Sequence, residues 1–187
     1  MRKPQFRLIG EAVTLDIIKE TFKNTEMGTR FLSGDYKSAT DEIHSWVSEK
    51  ALDGVIFALE RSCGHRLQPL KVLMKRALTG HVYNHKGQAK AQKRGQLMGS
   101  IISFIFLCIA NFSLIRHALQ ISRNKIIPVK NVCCLINGDD CLIPFFQEQS
   151  FPHWWRRTGD TMGLSESVGK TYDSDKFFCI NSRFFEV

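Results

Sequence analysis

The sequence has no internal repeat, no low-complexity tract and no linker rich in Pro or Ser, so nothing in it marks a domain boundary. It shows no secretory leader, because its first residues are mixed polar rather than a basic stretch followed by an apolar one. Without that pattern the six cysteines do not read as a disulfide framework. Cys63, Cys108, Cys133, Cys134, Cys141 and Cys179 lie mostly inside apolar runs, as reduced core thiols do. No strong zinc template is present either. The spacing of Cys63, His65, His81 and His85, C-x-H and then H-x3-H, matches none of the usual ligand sets. Charge is missing from Gly95 to Ile115. That stretch reaches the length of about 20 residues that crosses a bilayer. Gln96, Ser100, Ser103, Asn111 and Ser113 interrupt it, and no other segment resembles a span. A helix buried on most sides inside a globular core is the expected form, with no membrane span.

What is present suits a folded domain. The 187 residues are 43% hydrophobic, 11% aromatic and 24% charged, enough apolar material for a real core, so intrinsic disorder is excluded. Fourteen Phe residues supply aromatic anchors. Lys and Arg number 26 against 18 Asp and Glu, a net charge of +8. That surplus points to a polyanionic partner, nucleic acid before membrane. Part of it sits in the segment 86–94, KGQAKAQKR, which reads as a hairpin or loop.

Residues 30–35 read as a short strand ending at Gly34-Asp35, and 41–51 as a helix with Ile43 and Val47 on one face. Ser38, Thr40 or Asp41 would cap that helix. A helix is expected around 67–77 and a long apolar helix over 99–121. Two apolar runs of five, Val132–Ile136 and Cys141–Phe145, flank Asn137-Gly138-Asp139-Asp140, a hairpin with a tight polar turn. Residues 150–162 form an amphipathic helix capped by Ser150, with Pro152 in its first turn. Phe151, Trp155 and Met162 lie on one face, and Gly163 stops the helix in the left-handed conformation. Trp154 and Trp155 read as core or helix-face residues, not as platforms for bases. Phe177–Ile180 and Arg183–Phe185 form a second hairpin. Without the middle insertion the order is β-α-β-β-α-β, the split plan of an antiparallel sheet backed by two helices. The plan alone decides no function.

The carboxylates narrow the chemistry. Asp35 ends a strand, Asp41 opens a helix, and Asp139 and Asp140 sit at a hairpin tip. Asn-Gly and Gly-Asp are ordinary turn residues, so taken alone they need no further role. If the Asp35 strand and the 132–145 hairpin are neighbours in one sheet, three carboxylates meet at one edge. Crowded carboxylates raise one another's pKa, and Mg²⁺ removes that cost. Magnesium prefers a few carboxylates completed by substrate phosphates and water.

Four segments then occur in order: GDYKSATD (34–41), RGQLMGSIISFIFLCIAN (94–111), INGDD (136–140) and GLSESVGKTY (163–172). They resemble motifs A, B, C and D of viral RNA-dependent RNA polymerases, most of all the ourmiavirus-like (botourmiavirus) group related to narnaviruses, mitoviruses and the RNA phages. The D-x5-D spacing of Asp35 and Asp41 fits that lineage, where many other RNA virus polymerases have D-x4-D. FFCINSRFF (177–185) resembles the motif that follows D in this group. The resemblance implies an α+β polymerase palm, a split β-α-β sheet backed by helices, with a partial fingers insertion at about 52–94. It runs from about residue 30 to the C-terminus, so the whole chain, 1–187, would be a palm fragment without full fingers and thumb.

The resemblance also implies roles. Asp35 and Asp139 would be the main ligands of two catalytic Mg²⁺ ions, with Mn²⁺ a substitute, and Asp140 a supporting carboxylate. Asp41 would lie near the ribose of the incoming nucleotide and help recognise its 2′-hydroxyl, joined by Ser103. Asn111 stands where Leu107 replaces the Asn that many families place one turn after Ser103, and it is carried over as nucleotide-binding. Gly95, Gly99 and Ser100 would form the mobile loop beside the template. Lys170 would be the general acid for the leaving pyrophosphate, with Lys176 its rival. The partners would be an RNA template, a primer or product strand, ribonucleoside triphosphates, and missing fingers and thumb segments. The setting would be a viral replication complex in the host cytoplasm. A catalytically inactive RNA-binding remnant of such a polymerase is the alternative.

Overall fold

The computed structural model describes residues 3–26, 28–146 and 150–186. It divides into two compact units, one made of the residues up to Lys37 together with those from Asn111 onward, the other of Ser38–Ala110. The residue expected to begin an insertion, Leu52, lies in the middle of a helix, and the second unit begins earlier, at Ser38.

The first unit is built on a four-stranded antiparallel sheet. Its strands are β1 (Thr29–Gly34), β4 (Leu135–Asn137), β5 (Asp140–Phe146) and β6 (Tyr172–Ser174), in the order β4-β5-β1-β6. This is the order the split β-α-β plan requires. The register of β1 on β5 runs from Thr29↔Phe146 to Gly34↔Cys141. Alternation then sorts the side chains by face. Phe31, Leu135 and Leu142 join α1 (Leu15–Phe22) and β7 (Phe177–Ile180) in one apolar cluster through Ile17, Ile18, Phe22, Phe178 and Ile180. On the other face, α6 (Phe151–Met162) sets Phe151 against Phe145, ring centroids 5.8 Å apart. Both faces are covered, which is why β5 reads as a continuous apolar run and not as an alternating one. Pro144 sits past Leu142, where β4 has already ended, the edge condition in which a strand tolerates proline.

Several sequence expectations need correction here. The hairpin's first strand is Leu135–Asn137 and not all of 132–136, because the Gln5 side chain takes the Val132 carbonyl, donating to it at 2.8 Å. The fourth strand of the sheet is Tyr172–Ser174. The expected second hairpin, β7 with β8 (Arg183–Glu186), forms a separate two-stranded sheet turning at Asn181-Ser182. Ser150 stands at the N-cap of α6 but its side chain makes no capping hydrogen bond, while Gly163 ends the helix in the left-handed region as expected, at φ 77°.

The second unit holds α2 (Ala39–Glu42), α3 (Ser45–Cys63), α4 (Gln68–Thr79), a hairpin of β2 (Val82–His85) and β3 (Gln88–Ala91), and the first turns of α5 (Ser103–Ser122). The helix expected over 41–51 is therefore two helices broken at Ile43. The freed Ile43 carbonyl accepts the Gly95 amide at 2.7 Å. The helix expected from 99 begins at Ser103. Leu52, Ile56, Leu78 and Phe106 form this unit's core. The basic segment 86–94 begins in the tight turn of the hairpin, whose strands are exposed throughout.

Two glycines in helices test the packing. In α6, a Cβ at Gly159 would run into the Leu164 carbonyl oxygen, whereas at Gly54 in α3 it would meet nothing within 4 Å. Gly159→Ala should lower stability by about 1–3 kcal/mol. Gly54→Ala should raise it by about 0.5–1 kcal/mol. Chemical denaturation of the two variants checks both signs.

Candidate active site

Asp35 is placed by the end of β1. The last pair of that strand, Gly34↔Cys141, leaves Asp35 beside the start of β5 at Asp140. The approach is close: a Cβ on Gly34 would lie 2.7 Å from both Cys141 Sγ and Trp155 Cζ2, so only glycine lets the strands and α6 meet there. The backbone of Asp35 is clasped by the 163–172 segment. Its amide donates to Thr171 Oγ1 at 3.3 Å, and its carbonyl accepts from Thr171 Oγ1 at 3.2 Å and from the Ser167 amide at 2.9 Å. Arg156 on α6 steadies the same segment through a two-pronged pair with Glu166, at 2.5 and 3.1 Å. The clasp brings Lys170 Nζ to 3.6 Å from Asp35 Oδ2. Lys176 lies elsewhere: β6 runs from Tyr172 opposite Ser33 to Ser174 opposite Phe31, away from Asp35.

Asp139 and Asp140 are placed by a two-residue turn. Asn137 pairs with Asp140, leaving Gly138 and Asp139 as the turn's centre, and Gly138 takes a left-handed φ of 70° that suits glycine. The electrostatics record the crowding. Burial pushes the Asp139 carboxyl up, the charge of Asp35 adds to this, and Lys170 opposes it. Asp140 is pushed up to about 6, first by burial and then by the charges of Asp139 and Asp35, against the Asn181 amide and Lys170. Asp35, Asp139, Asp140 and Lys170 thus act on one another at one end of one sheet.

Asn111 is in the same unit; it is fully buried, and its amide is engaged at both ends by Tyr36 and by the Gly138-Asp139 turn. Sequence reasoning missed Tyr36 and Thr171, although each sits directly beside a residue it singled out. Trp155 is buried as expected, its ring stacked on that of Tyr36.

The other candidates belong to the second unit. Asp41 is exposed on α2 and lines a cleft of about 490 Å³ with His81, Tyr83, Lys93, Arg94 and Gln96. Gly95 has a left-handed φ of 83°, and a Cβ there would lie 2.7 Å from the Asp41 carbonyl oxygen, so its lack of a side chain also serves close approach. Gly99 has a similar φ of 84° but open space around it. The Ser100 amide donates to the Leu97 carbonyl at 3.1 Å. Ser103 is buried and gives its hydroxyl proton to the same carbonyl at 2.9 Å, so it braces the 97–103 loop from within.

Among the described residues no three His, Cys, Asp or Glu side chains converge tightly enough to hold a metal by themselves. The acidic group at the sheet end nevertheless fits Mg²⁺. It offers only oxygen donors, and their mutual repulsion is a cost that a cation relieves. An incomplete protein set is also what Mg²⁺ uses when substrate phosphates and water complete its shell.

No protein-family model matches the chain. It is 34% identical over 165 residues to the RNA-dependent RNA polymerase of Ourmia melon virus (isolate Melon/Iran/VE9), an alignment covering 84% of this chain and 19% of that protein. The chain therefore spans about a fifth of the length of that relative. In fold it is similar to the RNA-dependent RNA polymerase of a human picorbirnavirus, with a TM-score of 0.70 at 13% identity over 93% of this chain and 32% of that one. The insertion-loop deletion mutant of the same polymerase gives a TM-score of 0.69 at 14% identity, covering 93% of this chain and 34% of that one. Over most of its length the chain is thus similar in sequence to part of a viral RNA-dependent RNA polymerase, and its fold is that of part of another.

Proposed function

We propose that this chain is the catalytic palm of an RNA-directed RNA polymerase that performs template-directed ribonucleotidyl transfer in viral RNA replication. The observation that carries the reading is the meeting of Asp35, Asp139 and Asp140 at one sheet end, with Lys170 beside them. Its partners are an RNA template, a primer or product strand, ribonucleoside triphosphates, and the fingers and thumb segments of a longer polymerase. Its setting is a replication complex in the host cytoplasm. Among the described residues one helix, α5, is long and apolar enough to cross a membrane, but half of that stretch is buried in the fold and Asn111 is hydrogen-bonded within it, which supports a core helix.

Asp35 and Asp139 would hold two Mg²⁺ ions, which Mn²⁺ can replace, with Asp140 in support. Bound there, the metal lowers the pKa of the primer 3′-hydroxyl and offsets charge on the departing pyrophosphate. Lys170 keeps a proton for that leaving group as general acid. Asp41 would accept a hydrogen bond from the ribose 2′-hydroxyl, in a cleft that Lys93 and Arg94 also line. Sequence choice comes from base pairing, so the protein reads backbone and shape, to which a net charge of +8 is suited.

Asp35→Asn and Asp139→Asn should each abolish Mg²⁺-dependent primer extension while leaving circular dichroism and RNA binding intact. Near-normal extension by either variant sinks the assignment, and RNA binding without extension by the parent chain supports an inactive remnant. Lys170→Leu should slow single-turnover incorporation by roughly 10²–10⁴-fold, the range for a lost general acid, with little change in RNA binding. Asp41→Ala should reduce the preference for ribo- over deoxyribonucleotides, measured as a ratio of kcat/KM values. An unchanged ratio removes Asp41 from 2′-hydroxyl recognition.

A further inference from the structure

We propose that Tyr36 and Asn111 are positioning residues, forming an uncharged clamp that holds the Asp139 turn at a fixed spacing from the Asp35 strand end. The inference rests on the reading of those aspartates as cation holders.

Tyr36 follows Asp35 directly and is 2% exposed. Its ring stacks on Trp155, with centroids 5.0 Å apart and planes at 25°, so the phenol can move little. Its hydroxyl donates to Asn111 Oδ1 at 2.8 Å. Asn111 Nδ2 in turn donates to the carbonyls of Gly138 at 3.0 Å and Asp139 at 3.3 Å. One carboxamide therefore ties the residue after Asp35 to both peptides of the turn that carries Asp139. The direction of the chain is forced, because carbonyl oxygens only accept and the amide nitrogen must face them. That leaves the Asn111 oxygen for the Tyr36 proton. Tyr36, Asn111 and Gly138 are buried, where a lost partner leaves an unsatisfied polar group. No member carries a charge, so the clamp fixes the carboxylates without neutralising them. Groups behind a metal ligand commonly act this way, and their loss costs about 10–100-fold in metal affinity.

The test uses Mn²⁺ alone, titrated into the full 187-residue chain, with free Mn²⁺ read by electron paramagnetic resonance well below the unfolding temperature. Tyr36→Phe keeps the ring and removes only the hydroxyl. It should weaken Mn²⁺ binding by roughly tenfold or more. Asn111→Leu should weaken it at least as much, and if that variant does not fold, Tyr36→Phe decides. Ile18→Val, in the α1 cluster on the sheet face opposite α6, serves as a destabilised variant away from the clamp and should bind Mn²⁺ as the parent does. Asp35→Asn should abolish saturable binding. If Asp35→Asn binds as the parent, the cation reading itself fails. If Asp35→Asn loses binding while Tyr36→Phe retains it in full, the clamp is overturned and the cation reading stands. An equal loss in Ile18→Val and Tyr36→Phe also overturns the clamp, because general loosening then explains the effect.

Discussion

The pairing of β1 with β5 sets the position of every acidic residue at the site. Six residue pairs join the strands, and the last, Gly34↔Cys141, decides where Asp35 emerges. A slip of one residue would exchange the two faces of β1. Phe31 would leave the cluster of α1 and β7, and a larger side chain than glycine would meet Trp155. Both faces are buried, so neither exchange is tolerated. The register is thus set by packing over the length of the strand, and the acidic end inherits that precision.

The same rigidity makes the site costly. Carboxylates free to move would separate, and those of Asp139 and Asp140 are instead held where burial and like charge raise both. The nearest cation offsets little of this. Lys170 stands 3.6 Å from Asp35 but is largely exposed, and exposed pairs are weak because water screens them. The structure secures the acidic residues through backbone contacts. Thr171 and Ser167 hold the peptide of Asp35, and the Arg156–Glu166 pair holds the segment they come from.

Much of this was legible in the sequence where the signals are local. The turn chemistry of Asn137-Gly138-Asp139-Asp140 and the apolar runs around it predict a hairpin with acidic residues at its tip, and Gly34-Asp35 predicts a strand end. The failures come from tertiary context. Tyr172–Ser174 is a short edge strand whose Asp173 is half in solvent, paired with Arg30 at 2.8 Å, so it carries no strand pattern of its own. The helix over 41–51 breaks because the Ile43 carbonyl has a better partner in Gly95, more than fifty residues along the chain. Ser103 and Asn111 are polar residues in an apolar helix, and sequence alone cannot tell whether such a group faces a ligand or a buried peptide. Here both face peptides.

That last distinction bears on why a neutral amide stands behind the Asp139 turn. A lysine or arginine there would hold the turn as firmly and would also cancel the charge that gathers a cation. A hydrocarbon side chain would fill the space but leave two carbonyls and a phenol without partners inside the fold. Asparagine is a short side chain with a donor at one tip and an acceptor at the other, and the two ends match the carbonyls and the hydroxyl they meet. Its burial within an uncharged stretch of α5 follows from the same requirement. The helix must be apolar to pass through the core, and it admits a polar group only where that group's hydrogen bonds are met.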